Sequence, residues 1–131
     1  MDIIDVFGMK ISRDPENGFL SITDLLREVN RKRALNRQPR FNHLSWFHRQ
    51  STKDLIADIE KKHGKAKINS LGRGSHTMAH PILFIEMAIA TSPLIKMEVY
   101  EFCFSRENFT KEIISEHFTG KIKTTNDPFN D

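Results

Sequence analysis

The side chains best suited to chemistry in this sequence are cations, and they are gathered in one stretch. Between Arg31 and Ala79 stand Arg31, Lys32, Arg33, Arg37, Arg40, Arg49, Lys53, Lys61, Lys62, Lys65, Lys67 and Arg73 against Asp54, Asp58 and Glu60, twelve basic and three acidic for a net +9. Residues 1–30 carry three basic and six acidic side chains and residues 80–131 five and eight, so each flank is −3. The formal net charge of +3 therefore conceals a basic centre between two acidic arms. A concentrated cationic face releases the counterions condensed on a polyanion, and its Arg, Lys, Gln, Ser and Thr side chains are the types that grip phosphates or read base edges. A solvated, Lys-rich surface is the plainer alternative.

Other chemistries fit less well. His76 and His80 are four apart, a spacing that suits a metal on one helix, but Pro81 and the hairpin expected before it put them across a strand-to-helix junction. His80 is expected to cap or orient the following helix, and no metal site is expected. His43 and His48 do not share a helical face well and lie inside the basic stretch, where phosphate contact suits them better. Gly72-Arg73-Gly74 lacks the Lys-Ser/Thr of a phosphate-binding loop. Asp54 and Asp58 fit a helix exterior rather than a magnesium site, so no catalytic residue, cofactor or small-molecule substrate is expected. The single Cys103, in Tyr-Glu-Phe-Cys-Phe, reads as core packing, and a lone Cys suits a reducing compartment.

These residues must be positioned by one domain, since 131 residues with 38% apolar content and ten Phe suffice for one core. Ile3 to Ser12 reads as a strand, and Asn17-Gly18 turns it back antiparallel onto Phe19-Leu20-Ser21-Ile22. Thr23 is placed to cap a helix through Asn30, with Leu25, Leu26 and Val29 inward, and Arg31 to Arg40 follows as a polar, mobile linker. Phe41, Leu44 and Phe47 make the apolar face of a short helix. Ser51 or Thr52 then caps a second helix from Lys53 to about Lys62, with Leu55, Ile56 and Ile59 inward, and Ser51 with Asp54 approximates a capping box. The first turn of that second helix, Arg49 to Lys53, is the part a helix-turn-helix offers to a groove. Lys65–Leu71 and Ser75–Ala79 read as a hairpin with Arg73 at its tip, either a wing or an ordinary surface hairpin. His80-Pro81 and Ser92-Pro93 open two further helices, the first apolar almost all round and the second carrying Leu94, Met97, Tyr100, Phe102 and Phe104. Phe109, Ile113, Ile114 and Phe118 form a stripe that either completes the core or seals a homodimer, and the chain from Thr119 reads as a frayed tail. No apolar run is long enough to cross a bilayer, and Met-Asp-Ile-Ile-Asp lacks the basic start of a signal peptide, so a cytosolic protein is expected.

Three pieces, in this order, resemble the KilA-N domain of bacteriophage and large DNA virus proteins, which is similar to the fungal APSES domain. Gly18-Phe19-Leu20-Ser21-Ile22-Thr23-Asp24-Leu25 is like the family's Gly-Tyr-Ile-Asn-Ala-Thr-x-Leu. Trp46 through Ile56 looks like its Trp-Leu-x-x-x-x-Thr-Lys-x-Leu-Ile. Gly74, Thr77, His80-Pro81, Ala88, Ser92-Pro93 and Val99-Tyr100-Glu101-Phe102 follow its third segment, with Met78 and Ala90 where the family often has Trp. The resemblance covers about residues 17–104 and implies DNA binding on a winged-helix-like α+β fold, without a catalytic activity.

The expected organisation is a DNA-binding domain over 1–104, a C-terminal helix over 105–119 and a polar tail over 120–131. The expected function is sequence-specific binding of double-stranded DNA by a transcriptional regulator, a repressor of a phage or other mobile element that occludes a promoter in the cytoplasm of a bacterial host, on its nucleoid. Arg49, Gln50, Ser51, Thr52 and Lys53 are candidates for the groove and Arg73 for the wing tip. Arg37, Arg40, Lys65 and Lys67 are candidates for phosphates, with Asn42 and His43 beside them. Rival readings are a protein-interaction module that inhibits a host nucleic-acid-binding protein, and a free-standing targeting domain derived from a homing endonuclease.

Overall fold

A computed structural model describes residues 1–69 and 75–105. Met1–Ile95 forms one compact unit and the chain from Lys96 belongs to another. The architecture is α+β: an antiparallel five-stranded sheet in the order β1-β2-β3-β5-β4 with helices interspersed. Its strands are β1 (Asp2–Val6), β2 (Met9–Arg13), β3 (Leu20–Ser21), β4 (Lys67–Asn69) and β5 (Thr77–Ala79). Its helices are α1 (Ile22–Leu35), α2 (His43–His48), α3 (Gln50–His63), α4 (Pro81–Thr91) and α5 (Pro93–Ser105).

The expected single strand over residues 3–12 is in fact two. Phe7 and Gly8 both take positive φ, 51° and 79°, which turns the chain through a two-residue hairpin that closes on the pair Val6 and Met9. Asp5 Oδ1 accepts the Gly8 N–H at 2.9 Å and steadies the turn. The Asn17-Gly18 reversal stands as expected, with Gly18 at φ 77° and Arg13 paired to Leu20.

α1 starts earlier and runs further than the sequence suggests. Ser21, not Thr23, is its N-cap, accepting the Asp24 N–H at 3.0 Å, because the Thr23 hydroxyl is taken by the Thr77 N–H at 2.9 Å. The helix continues through Arg31, Lys32 and Arg33, all good helix formers, to Leu35. It then ends in a Schellman pattern: Arg37 N–H donates to Ala34 O and Gln38 N–H to Arg33 O, with Arg37 in the left-handed region at φ 57°. The segment that follows is tethered rather than free. Asn30 Oδ1 accepts the Phe41 N–H at 2.8 Å, and the Arg33 guanidinium donates to Pro39 O at 3.0 Å and Thr91 O at 2.9 Å.

In α2 the inward residue is Trp46, 5% exposed, while Leu44 is 63% exposed, so the expected face is rotated. Arg49 alone separates α2 from α3, donating its N–H to Trp46 O and accepting from the Lys53 N–H. Helix α3 therefore begins at Gln50, and the expected Ser51 or Thr52 cap and capping box are not formed. The Gln50 amide instead donates to Asp54 Oδ1 at 2.8 Å. Thr52, Leu55, Ile56 and Ile59 turn inward at helical spacing.

The core sits around α4, whose Leu83, Phe84, Met87 and Ala88 are buried and which packs on α1, α3, β3 and β5. His80 Nδ1 accepts the Ile82 N–H at 3.1 Å ahead of Pro81, the cap expected there. Ser92 Oγ likewise accepts the Leu94 and Ile95 N–H groups at the start of α5. In the second unit, Lys96–Ser105 is helical, with Met97, Tyr100, Phe102 and Phe104 exposed and Val99 and Cys103 half-buried, so Cys103 is less enclosed than the core packing expected of it. The stripe Phe109, Ile113, Ile114 and Phe118, the tail and Arg73 lie outside the described residues.

Candidate nucleic-acid interface

The basic side chains of the central stretch are divided by α2. On one side, α1, α2 and the β4–β5 hairpin enclose a cleft of about 810 Å³, lined by Arg27 and Arg31 one turn apart on α1, by Arg40 and His43, and by Lys67 on β4. On the other, α2, α3 and α4 border a hollow of about 410 Å³ lined by Arg49, Ser51, Thr52 and Glu86. The outer side of α3, opposite its buried residues, presents Gln50, Lys53, Asp54, Ala57 and Lys61, all exposed.

The cleft is lined by both cationic and apolar side chains. Ile22, Leu26, Leu44 and Phe47 line it, and Lys67 Nζ lies 4.3 Å from the centre of the Phe47 ring, held there by cation–π attraction. Arg27 is paired with Asp24 and Arg31 with Glu28 on their own helix. Among the described residues Arg40 and Lys67 have no carboxylate in ion-pair range, so their charge is available to an outside anion.

Several candidates have local duties as well. Asn42 caps α2, accepting the Ser45 N–H at 3.0 Å. Arg37 occupies the left-handed slot after α1. Thr52 is 4% exposed, so its hydroxyl does not join Gln50 and Lys53 on the outer side of α3. Lys65 is exposed just ahead of β4. Arg27 and Arg31 were not among the candidates from sequence. Their i, i+4 spacing was the available signal, masked by the expectation that the helix stopped at Asn30.

One cluster has the residue types of a nucleophile relay. Ser21 Oγ lies 2.8 Å from His76 Nδ1, and Asp24 Oδ1 lies 3.6 Å from that same nitrogen. A relay needs serine and carboxylate on opposite ring nitrogens and an accessible hydroxyl. Here both meet Nδ1, Ser21 is wholly buried, and its oxygen is already the cap of α1. The cluster fastens the strand returning from the hairpin to the start of α1, alongside the Thr77–Thr23 bond and a cross-strand bond from the Thr77 hydroxyl to Asn69 Oδ1 at 3.1 Å. Among the described residues no group of three or more His, Cys, Asp or Glu is placed to hold a metal, and no helix is long and apolar enough to cross a membrane.

The described residues thus combine a sheet, a closely joined helix pair, an antiparallel strand pair after it and cations on both sides of α2. The KilA-N domain model matches residues 3–105, most of the chain, and the protein belongs to that family. KilA-N domains are DNA-binding domains, and a DNA-binding role follows. No curated protein and no solved structure matches the chain.

Proposed function

We propose that the protein binds double-stranded DNA sequence-specifically and regulates transcription, as a repressor of a phage or other mobile element that occupies a promoter and excludes polymerase. In this winged-helix-like reading, α3 enters the major groove and the β4–β5 hairpin lies beside it, with Arg73 reaching the minor groove or backbone. The observation that carries it is the outer side of α3, where Gln50 and Lys53 stand exposed in the first turns with Arg49 at the helix start. Such side chains suit base edges and phosphates. In this reading the protein works without catalysis, which is supported by the burial of the Ser21 hydroxyl and by the contact of Ser21 and Asp24 with the same ring nitrogen of His76. Its place is the host cytoplasm, on the nucleoid.

Selection of bound fragments from a random duplex library tests this reading. A defined motif found in promoters is the expected result. A motif confined to coding sequence favours a targeting domain derived from a homing endonuclease, and failure to shift any duplex favours a protein-interaction module. A dimer through Phe109, Ile113, Ile114 and Phe118 adds inverted half-sites to the motif, and light scattering with and without DNA decides it.

A further inference from the structure

The cleft between α1, α2 and the β4–β5 hairpin has a composition that duplex binding does not explain. A duplex shows a protein its phosphates and the edges of stacked, paired bases, so the contacts it needs on a backbone track are cations and hydrogen-bond donors. This cleft has those, in Arg40 and Lys67, but among them it also has the apolar side chains Leu26, Leu44 and Phe47. Leu44 is 63% exposed there, a large hydrocarbon side chain left in water among cations. No carboxylate lines the cleft, which favours an anionic occupant. Its volume of about 810 Å³ lies within the size range of small-molecule sites and far exceeds what one phosphate requires.

An anion that carries its own flat apolar body meets all of these conditions, and within a DNA-binding protein that body is a base. We propose that the cleft binds an unpaired nucleotide of a DNA strand, with the base against Leu26, Leu44 and the part of Phe47 that Lys67 leaves open, and the flanking phosphates on Arg40 and Lys67. A cationic groove combined with aromatic side chains on which bases stack is the general recipe for holding single strands, and Phe47 supplies such a ring here. The amide of Asn69, beside Lys67 at the hairpin end of the cleft, is in place to meet a base edge. The site rests on the DNA-binding reading for the identity of the polymer, but it is separate from the outer side of α3, so the two can fail independently.

The test is fluorescence anisotropy of the full chain with two probes, a short labelled oligothymidine and a random-sequence duplex, each titrated at several salt concentrations. Leu44→Ala should weaken oligothymidine binding by about tenfold without changing its salt slope, because a platform is lost and no phosphate contact is. Its duplex affinity should stay at the wild-type value. Arg40→Gln should instead flatten the single-strand salt slope by roughly 0.7 units. Lys53→Gln, on α3, should weaken the duplex complex and leave oligothymidine unaffected. Wild-type protein that ignores oligothymidine, a Leu44→Ala protein that binds it unchanged, or one that loses duplex and single strand equally would each overturn the assignment. A chain that binds oligothymidine in a Leu44-dependent way but no duplex would retain this site and discard the duplex reading.

Discussion

The ring of His63, at the last residue of α3, stacks on that of His80, the N-cap of α4, with centroids 4.7 Å apart and planes inclined at 30°. Phe19 meets the His80 ring edge-on at 5.8 Å. Burial and the neighbouring His63 hold the His80 pKa below its ordinary 6.5, and the cap itself needs an unprotonated Nδ1 to accept from Ile82. A histidine whose pKa falls on folding takes up its proton more readily unfolded. Its stabilising effect is therefore complete above about pH 6.5 and lost as pH drops through the lower folded value. Thermal unfolding should show Tm falling below pH 6.5. His80→Asn, which keeps a capping oxygen and removes the titration, should flatten that part of the profile, and an unaltered profile would refute the assignment.

Asn30 is 6% exposed and its side-chain oxygen serves the Phe41 N–H. Asn30→Ala leaves that donor without its partner, and urea unfolding should register a loss of about 1–3 kcal/mol. Asn36→Ala, which removes only an exposed bond to Lys32 O, should cost far less. Proteolysis should also cut residues 36–42 faster in the first variant than in the second.

Arg37 holds a left-handed conformation at the position after a helix where glycine is favoured. Arg37→Gly should raise stability by about 0.5–1 kcal/mol in chemical unfolding. If the guanidinium also grips a phosphate, the same variant will bind DNA with a salt slope smaller by about one unit, so the two roles separate in one protein.

Lys53 stands on the outer side of α3 with Gln50 and Lys61. Lys53→Gln should lower duplex affinity across all sequences and reduce the salt slope by about one unit, as loss of a single phosphate contact does. Gln50→Ala should instead relax preference at one base position, costing about 1–3 kcal/mol on the best site alone. Binding curves on the selected motif and on scrambled duplex distinguish the two patterns.

What could be read in advance was mostly what neighbouring residues decide among themselves. Asn17-Gly18, His80-Pro81 and Ser92-Pro93 carry their turn and cap chemistry locally, and the near-continuous apolar run of α4 marks it as central. The Phe7-Gly8 turn is not legible locally because an aromatic residue at positive φ is uncommon, so the strand reads as unbroken. Ser21 and Thr23 are both good caps, and the choice between them is made by Thr77, far along the chain. Arg31 to Arg33 read as part of a linker because they are charged, although charge does not oppose helix formation. That misreading also concealed the α1 wall of the cleft, and thereby Arg27 and Arg31.

The single residue between α2 and α3 has a mechanical consequence. With Trp46 sunk in the core and the Arg49 backbone bonded to both helices, α3 has almost no slack at its leading end. Its outer side chains are thereby held at one tilt relative to α2, and under the proposed DNA-binding reading it falls to the duplex, rather than to the helix, to adjust its curvature.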